Sequence, residues 1–140
     1  MSLIEFINNN VYLVGATLFV FLLALFNELK IKESNICGLT PMEAVKLINN
    51  NALIYDLRGP TDFQNKHLLN AVNIKSSDLI EQPPNNKTPV LLVCESGGLS
   101  KKTSLSLRSK NLENVFYIKG GQLEWENSSL PCSSEPKTKE

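Results

Sequence analysis

Residues 89–100 read PVLLVCESGGLS, a short apolar run that leads into a glycine-rich turn. Val90–Val93 is apolar without interruption, and it is bounded by Pro89 and by the pair Gly97-Gly98. A run of this length with no polar alternation is typical of a strand buried on both faces of a parallel sheet. We therefore expect this strand to form the centre of an α/β domain.

Cys94 follows directly where the predicted strand ends, the edge at which open α/β sheets bind ligands. The residues after it can turn sharply and point backbone N–H groups inward, and from Ser100 the sequence is compatible with a helix. Amide donors and a helix N-terminus both favour a thiolate, the nucleophilic form. The alternative is a small, buried apolar residue. The pattern predicts a reactive cysteine in an anion-binding loop of Glu95, Ser96, Gly97, Gly98, Leu99 and Ser100.

Charge and cysteine spacing limit the classes of protein to which the chain can belong. Its 140 residues suffice for one domain and an appendage. The formal net charge is zero, so no basic footprint indicates nucleic acid binding. Cys37, Cys94 and Cys132 form no CxxC pair, which indicates neither a metal site nor a disulfide framework and fits reduced thiols in a cytosolic compartment. No GxGxxG or P-loop pattern occurs, so no nucleotide-binding cradle is indicated. We expect no cofactor.

The N-terminal region contains a long apolar segment. Residues 11–26 carry no charged side chain, and as a helix they span roughly 24 Å, close to the ~30 Å hydrocarbon layer. A buried core helix is the alternative, but the rest of the chain is small for covering so many large side chains. A cleaved signal peptide would have a basic start and a small-residue cleavage site, and this segment has neither. The segment predicts one transmembrane helix within an anchor over residues 1–29.

The flanking charges predict an orientation for this helix. Lys30 and Lys32 follow the apolar segment, whereas Glu5 is the only charged side chain before it. The positive-inside rule then places the C-terminal domain in the cytoplasm. In this interpretation residues 30–39 form a polar linker, and Cys37 is an incidental linker residue.

Residues 40–130 alternate strand-like and helical segments. Thr40-Pro41-Met42-Glu43 is a helix start with an N-cap threonine, an early proline and a capping-box glutamate. Short apolar strands are predicted at residues 52–55, 71–74, 90–93 and 115–118. Strands that alternate with helices predict an α/β domain with a mainly parallel sheet. Residues 131–140, which include Cys132, are polar and are expected to form a flexible tail.

Several short motifs follow one another along this domain. They are LTPMEA at residues 39–44, Asp56-Leu57-Arg58, Asp62-Phe63, His67-Leu68, Ala71 with Asn73-Ile74, Cys94-Glu95-Ser96-Gly97, the strand at residues 115–118, Gly120-Gly121 and Trp125. In this order and spacing they resemble the rhodanese-like family, in particular its single-domain, membrane-anchored bacterial members. The resemblance implies a three-layer α/β/α domain with a mainly parallel central sheet, preceded by one N-terminal transmembrane helix.

The resemblance also implies sulfurtransferase chemistry with Cys94 as the nucleophile. Cys94 would take the outer sulfur of thiosulfate or of a persulfide, with the backbone N–H groups of residues 95–100 holding the sulfur, and pass it to a thiol acceptor, small or protein. Arg58 and Asp62 would form an ion pair beside the site, and His67 would order the chain. The protein would be a single-pass component of the bacterial inner membrane, with the lipid bilayer as a partner.

Leu99 departs from the family pattern, which often has an arginine at this position that helps to bind an anionic donor. Lys101 and Lys102 follow it, but helical spacing does not have to aim them at the loop. The loop also lacks the arginine with which cysteine phosphatases clamp phosphate oxygens, so phosphate hydrolysis is not expected. The alternative function is a non-catalytic rhodanese-like module that senses sulfur or binds a protein at the membrane.

Overall fold

The structure is a computed structural model that describes residues 1–135, apart from the side chains of residues 33–35. The chain divides into two compact units, Met1–Asn35 and Ile36–Glu140. The first contains helix α1, Leu3–Asn9, and most of helix α2, Val11–Cys37. Ser2 and Glu5 close a capping box at the start of α1 and so satisfy backbone donors that a helix N-terminus leaves open.

The segment Val11–Lys32 of α2 is long and apolar enough to cross a bilayer. Its 22 residues span roughly 33 Å as a helix, against a hydrocarbon thickness of ~30 Å. None of the residues in its most apolar 18-residue window is buried inside the chain. This exposure argues against the alternative of a buried core helix.

Helix α2 extends beyond residue 29, where the anchor was expected to end. No glycine or proline occurs between Gly15 and Gly38, so no helix-breaking residue in this interval ends α2 before Cys37. Cys37 is fully buried in the core of the second unit, and its Sγ lies 3.8 Å from Ser104 Oγ. The interpretation of Cys37 as an incidental linker residue is therefore wrong, because it packs in the folded core.

A five-stranded parallel sheet forms the centre of the second unit. Its strands are β1 (Gly38–Leu39), β2 (Leu53–Asp56), β4 (Val72–Asn73), β5 (Val90–Val93) and β6 (Val115–Ile118). Their order is β1-β6-β5-β2-β4, and every neighbouring pair is parallel. Two short strands, β3 (His67–Leu68) and β7 (Cys132–Ser133), form a separate antiparallel pair. Strand β5 has its predicted bounds and is buried throughout.

Helices cover both faces of this sheet. They are α3 (Pro41–Asn49), α4 (Pro60–Asn65), α5 (Ser76–Glu81), α6 (Gly98–Arg108) and α7 (Gly121–Asn127). On one face, Val90 and Leu92 of β5 share a core cluster with residues of α5 and α6. On the other, Leu91 and Val93 share a cluster with residues of α3 and α7. Successive strand residues thus point into opposite layers, and the expected three-layer α/β/α architecture is confirmed.

The C-terminal segment pairs with the domain over part of the expected tail. Strand β7 places Cys132 opposite Leu68, and Trp125 Nε1 donates to the carbonyl oxygen of Pro131 at 3.1 Å. A two-residue strand has too few positions to show a period-two pattern, so this pairing could not be predicted from the sequence. Residues 136–140, the remainder of that tail, lie outside the described residues.

Candidate active site

The sulfur of Cys94 lies inside the loop that joins β5 to α6. Gly97 donates its backbone N–H to Sγ at an N–S distance of 3.1 Å, and Ser100 donates its own at 3.3 Å. The hydroxyl oxygen of Ser100 lies 3.2 Å from the same sulfur. Cys94 itself is 4% exposed. Ser100 Oγ also donates to the carbonyl oxygen of Gly97 at 3.2 Å. Because the two amide N–H groups stabilise negative charge on the sulfur, the arrangement suits a thiolate nucleophile.

The backbone N–H groups that reach the sulfur are fewer than the sequence suggested. Of residues 95–100, Gly97 and Ser100 alone donate a backbone N–H to Sγ. Gly97 has a φ of +91° and caps the start of α6, a left-handed conformation that glycine adopts without steric cost. Gly97 and Ser100 are buried. The exposed members of the loop are Glu95, Ser96, Gly98 and Leu99.

The turn at Gly120-Gly121 packs against this loop. The N–H of Gln122 donates to the carbonyl oxygen of Cys94 at 2.8 Å, and that of Leu123 donates to the carbonyl oxygen of Glu95 at 3.2 Å. Gly121 has a φ of +60°, and a Cβ atom there would lie only 2.2 Å from the Cys94 carbonyl oxygen. The start of α7 therefore fixes the loop backbone. The resemblance identified the glycine pair but assigned it no role.

A buried ion pair supports the loop from the end of β2. Arg58 binds the carboxylate of Asp56 through Nε and Nη2, with a shortest distance of 2.8 Å, and both side chains are shielded from solvent. Arg58 Nη1 also donates to Glu95 Oε2 at 3.4 Å. Burial acts to lower the pKa of Arg58, but Asp56 and then Glu95 outweigh it and raise the pKa above its usual value. Arg58 thus links β2 to the loop as a cation.

The ion pair expected between Arg58 and Asp62 is wrong. Asp62 lies on the exposed side of α4, and within residues 1–135 the ion pairs of Arg58 are with Asp56 and Glu95. Asp56 is favoured because it lies two residues before Arg58, where its carboxylate also accepts the Arg58 backbone N–H at 3.0 Å. The signal for this pair was present in the D-x-R motif itself.

His67 orders the chain after α4. Its Nδ1 lies 2.6 Å from the carbonyl oxygen of Phe63, and the two rings stack with centroids 4.0 Å apart. The carbonyl oxygen of the preceding residue, Lys66, accepts a hydrogen bond from Arg58 Nη2 at 2.6 Å. His67 therefore holds the segment that carries this acceptor, and the described structure shows no hydrogen bond from His67 to the Cys94 loop.

A polar cluster on α7 was not found from the sequence. The buried Gln122 donates through Nε2 to Glu126 Oε1 at 2.9 Å and lies 3.5 Å from Cys132 Sγ, while Lys66 Nζ lies 3.0 Å from Glu126 Oε2. Hydrogen bonds from Gln122 and then Lys66 lower the pKa of Glu126, and the bond to Glu126 raises the pKa of Lys66. The cluster stabilises α7, the helix whose Gln122 N–H donates to the Cys94 carbonyl oxygen.

Comparison with known proteins assigns the domain to a family. The family model described as the rhodanese-like domain matches residues 40–128. The chain belongs to the rhodanese-like family. Membership of this family supports a sulfurtransferase-type or sulfur-related role at the level of the family.

Individual relatives cover most or part of the chain. YibN of Escherichia coli strain K12 is 27% identical over 136 residues, which cover 93% of this chain and 95% of YibN. The thiosulfate sulfurtransferase GlpE of Vibrio cholerae is 28% identical over 85 residues, or 59% of this chain and 80% of GlpE. The crystal structure of a rhodanese-related protein from Thermoplasma volcanium superposes with a TM-score of 0.62 at 20% identity, covering 70% of this chain and 98% of that one. This last likeness shows the fold.

Proposed function

We propose that the chain is a membrane-tethered sulfurtransferase that moves sulfane sulfur from thiosulfate or a persulfide to a thiol acceptor through a persulfide on Cys94. The observation that carries the proposal is the set of polar groups around Sγ, formed by the amides of Gly97 and Ser100 and by the Ser100 hydroxyl. The sulfurtransferase name of the relative GlpE gives further support.

The chemistry consists of two displacements at sulfur. The Cys94 thiolate attacks the outer sulfur of the donor, a new S–S bond forms, and the donor's own bond to that sulfur breaks, releasing sulfite or a thiolate. An acceptor thiolate then attacks the outer sulfur of the Cys94 persulfide and regenerates the Cys94 thiolate. The amides of Gly97 and Ser100 stabilise the sulfur anion at the start and at the end of this cycle. The loop over residues 95–100 is the proposed substrate-binding surface.

The tether and the location are part of this proposal. Residues 1–29 would form the anchor and residues 40–130 the rhodanese-like domain. In place of the expected linker over residues 30–39, helix α2 continues to Cys37 and β1 follows it. Of the expected tail over residues 131–140, Cys132–Ser133 pairs with β3. The unburied apolar segment Val11–Lys32 supports the anchor, and Lys30 and Lys32 support a cytoplasmic domain. The chain would then be a single-pass protein of the bacterial inner membrane, with the lipid bilayer as a partner.

Sulfur loading of the full chain tests the enzymatic proposal. The detergent-purified protein is incubated with thiosulfate or with glutathione persulfide, and peptide mass spectrometry locates any added sulfur atom. We expect one added sulfur on Cys94, none in the Cys94→Ser variant, and undiminished loading of Cys94 in the matched Cys132→Ser variant. A chain that gains no sulfur on Cys94 from thiosulfate, from glutathione persulfide or from the uncharged persulfide of 2-mercaptoethanol refutes the proposal.

A non-catalytic module is the second candidate, and Leu99 in place of the usual arginine favours it. Under this alternative the fold binds a partner or senses sulfur at the membrane without turnover. If the module acts by binding a partner alone, a host strain that carries the Cys94→Ala variant would behave as the strain with the intact gene, whereas a deletion strain would not. A Cys94→Ala strain that matches the deletion strain excludes a role that is independent of the thiol.

A further inference from the structure

The Cys94 loop has an exposed part beside the buried sulfur. We call this part the loop rim and define it as Glu95, Ser96, Gly98 and Leu99, all exposed to solvent. Cys94 lies beneath it and is almost completely buried. A donor that delivers its outer sulfur to Sγ therefore has its remaining atoms at the rim. The charge of the rim then acts on the part of the donor that does not enter the site.

The rim carries one negative charge and no positive charge. The side chain of Glu95 is 58% exposed, and Glu95 is the ionisable residue of the rim. Leu99 is 45% exposed and presents a hydrocarbon side chain to solvent. A carboxylate raises the energy of a nearby anion, and a leucine offers no hydrogen bond donor to it. The rim thus has an unfavourable surface for an anionic donor.

Arg58 contacts the rim through Glu95, but its guanidinium is already engaged. Its side chain is 7% exposed, and its donors go to the Asp56 carboxylate, to the Lys66 carbonyl oxygen and to Glu95. Two carboxylates therefore face one guanidinium, which leaves this group with a net negative charge. An anion that bound Arg58 would have to displace one of these partners and leave it without its cation.

The lysines that neighbour the loop do not offset this charge by contact. Lys101 and Lys102 follow the rim on α6 and are exposed, and within residues 1–135 neither forms an ion pair with Glu95. Lys66 holds Glu126 at 3.0 Å. An exposed lysine that makes no contact acts on a bound donor only through screened water. Glu95 is therefore the charge that a donor at the rim meets first.

From this geometry we infer that the site selects organic persulfides whose organic group is neutral or cationic, and disfavours thiosulfate and persulfides that carry a carboxylate. The inference rests on the proposed sulfurtransferase function. In the preferred reaction, the Cys94 thiolate attacks the outer sulfur of R–S–SH. The Cys94 Sγ–S bond forms, the S–S bond of the donor breaks, the proton stays on the transferred sulfur and R–S⁻ leaves. No oxidant or reductant is consumed.

Three persulfides of similar size and different charge test the inference. The detergent-purified full chain receives the persulfide of cysteamine, of 2-mercaptoethanol or of 3-mercaptopropionate, and thiosulfate in a fourth arm. The measurement is the initial rate of sulfur gain on Cys94 at neutral pH and low salt. We expect the rate to fall from the cationic to the neutral to the anionic persulfide, by about threefold to tenfold between the extremes. Added salt should compress this range.

Variants assign the selection to the rim. Glu95→Gln should compress the range between the cationic and anionic donors, and Leu99→Arg should reverse their order and raise the rate with thiosulfate. Glu81→Gln is the matched control, because it removes an exposed carboxylate from the end of α5. That end lies by the far end of α6, since the carbonyl oxygen of neighbouring Ile80 accepts from Lys110 Nζ at 2.9 Å. Glu81→Gln should keep the wild-type order.

The outcomes separate this inference from the function on which it rests. Equal rates for all three persulfides, or a faster anionic donor in the wild-type chain, overturn the charge selection while the sulfurtransferase proposal stands. A wild-type order that Glu95→Gln leaves unchanged also overturns the assignment to Glu95. Failure of every donor to load Cys94 instead overturns the proposed function itself.

Discussion

A single methyl group at Gly121 should disable the Cys94 loop. In the Gly121→Ala variant, the new Cβ would lie 2.2 Å from the carbonyl oxygen of Cys94 and 2.7 Å from both the Glu95 carbonyl oxygen and the Gly97 nitrogen. All three neighbours are backbone atoms, so no side chain can rotate away to relieve the contact. The loop or the start of α7 must move by about 1 Å to reach an ordinary non-bonded distance.

The cost has two parts. Gly121 has a φ of +60°, and an alanine in the left-handed region costs about 1–2 kcal/mol. Overpacking against fixed backbone adds about 1–3 kcal/mol, so the variant should lose about 2–5 kcal/mol of folding free energy. Displacement of the reacting atoms by about 1 Å should slow sulfur loading by about 100-fold. The rate should fall even in the fraction of protein that remains folded, because the amide of Gly97 no longer points at Sγ.

Trp125 gives a direct assay of the stability loss. It is the single tryptophan of the chain and is 3% exposed, so its fluorescence follows unfolding in denaturant. Sulfur gain on Cys94 by mass spectrometry gives the rate. The matched control is Gly98→Ala, because a Cβ at Gly98 meets no atom within 4 Å and its φ lies outside the left-handed region. Wild-type loading by Gly121→Ala, or an equal loss in Gly98→Ala, would refute the proposed contact between the two backbones.

Three further predictions concern the polar groups of the site. Ser100→Ala should slow alkylation of Cys94 by about tenfold, because a hydrogen bond to a charged sulfur is worth about 1.5 kcal/mol; the exposed Ser96→Ala should cost less, and an equal loss would remove the hydroxyl from the mechanism. Arg58→Gln should destabilise the domain by about 3–5 kcal/mol, because it leaves the buried Asp56 carboxylate unpaired; the double variant with Asp56→Asn should recover part of this loss in the fluorescence assay, and no recovery would contradict the pairing. Because the pKa of Glu126 is lowered in the folded chain, its contribution to the free energy of unfolding is present above the unfolded pKa near 4.5 and is lost as pH falls through the lower folded pKa. Glu126→Gln should therefore slightly reduce the loss of stability at acid pH, and an unchanged dependence of the unfolding free energy on pH would contradict this expectation.

Elements whose signal is local could be predicted from the sequence. Strand β5 has its predicted bounds because its four apolar residues are enclosed by a proline and a glycine pair. Helix α3 begins after Thr40, where the capping box with Glu43 forms as expected. In both cases the decisive interactions lie within a few residues, so the sequence pattern determines the local structure without knowledge of the fold.

Elements that depend on distant partners could not be predicted. Strands β1, β3 and β7 have two residues each, too few for any periodicity, and they exist because a strand elsewhere in the chain accepts them. The predicted partner of Arg58, Asp62, was wrong for a related reason. Asp56 and Asp62 are both near in sequence, and the choice depends on β2 directing Asp56 inward while α4 leaves Asp62 in solvent.

The same distinction separates the reactive sulfur from its selectivity. Main-chain amides hold Sγ, and these amides are placed by the left-handed Gly97 and by the contact of Gly121 with the Cys94 carbonyl. Other side chains at the rim would leave these amides in place, so the support that the amides give to the nucleophile does not depend on the rim side chains. Glu95 and Leu99 project from that backbone into solvent and change the charge that a donor meets. Substitution of Leu99 therefore changes which donor delivers sulfur, whereas substitution of Gly121 changes whether any donor can.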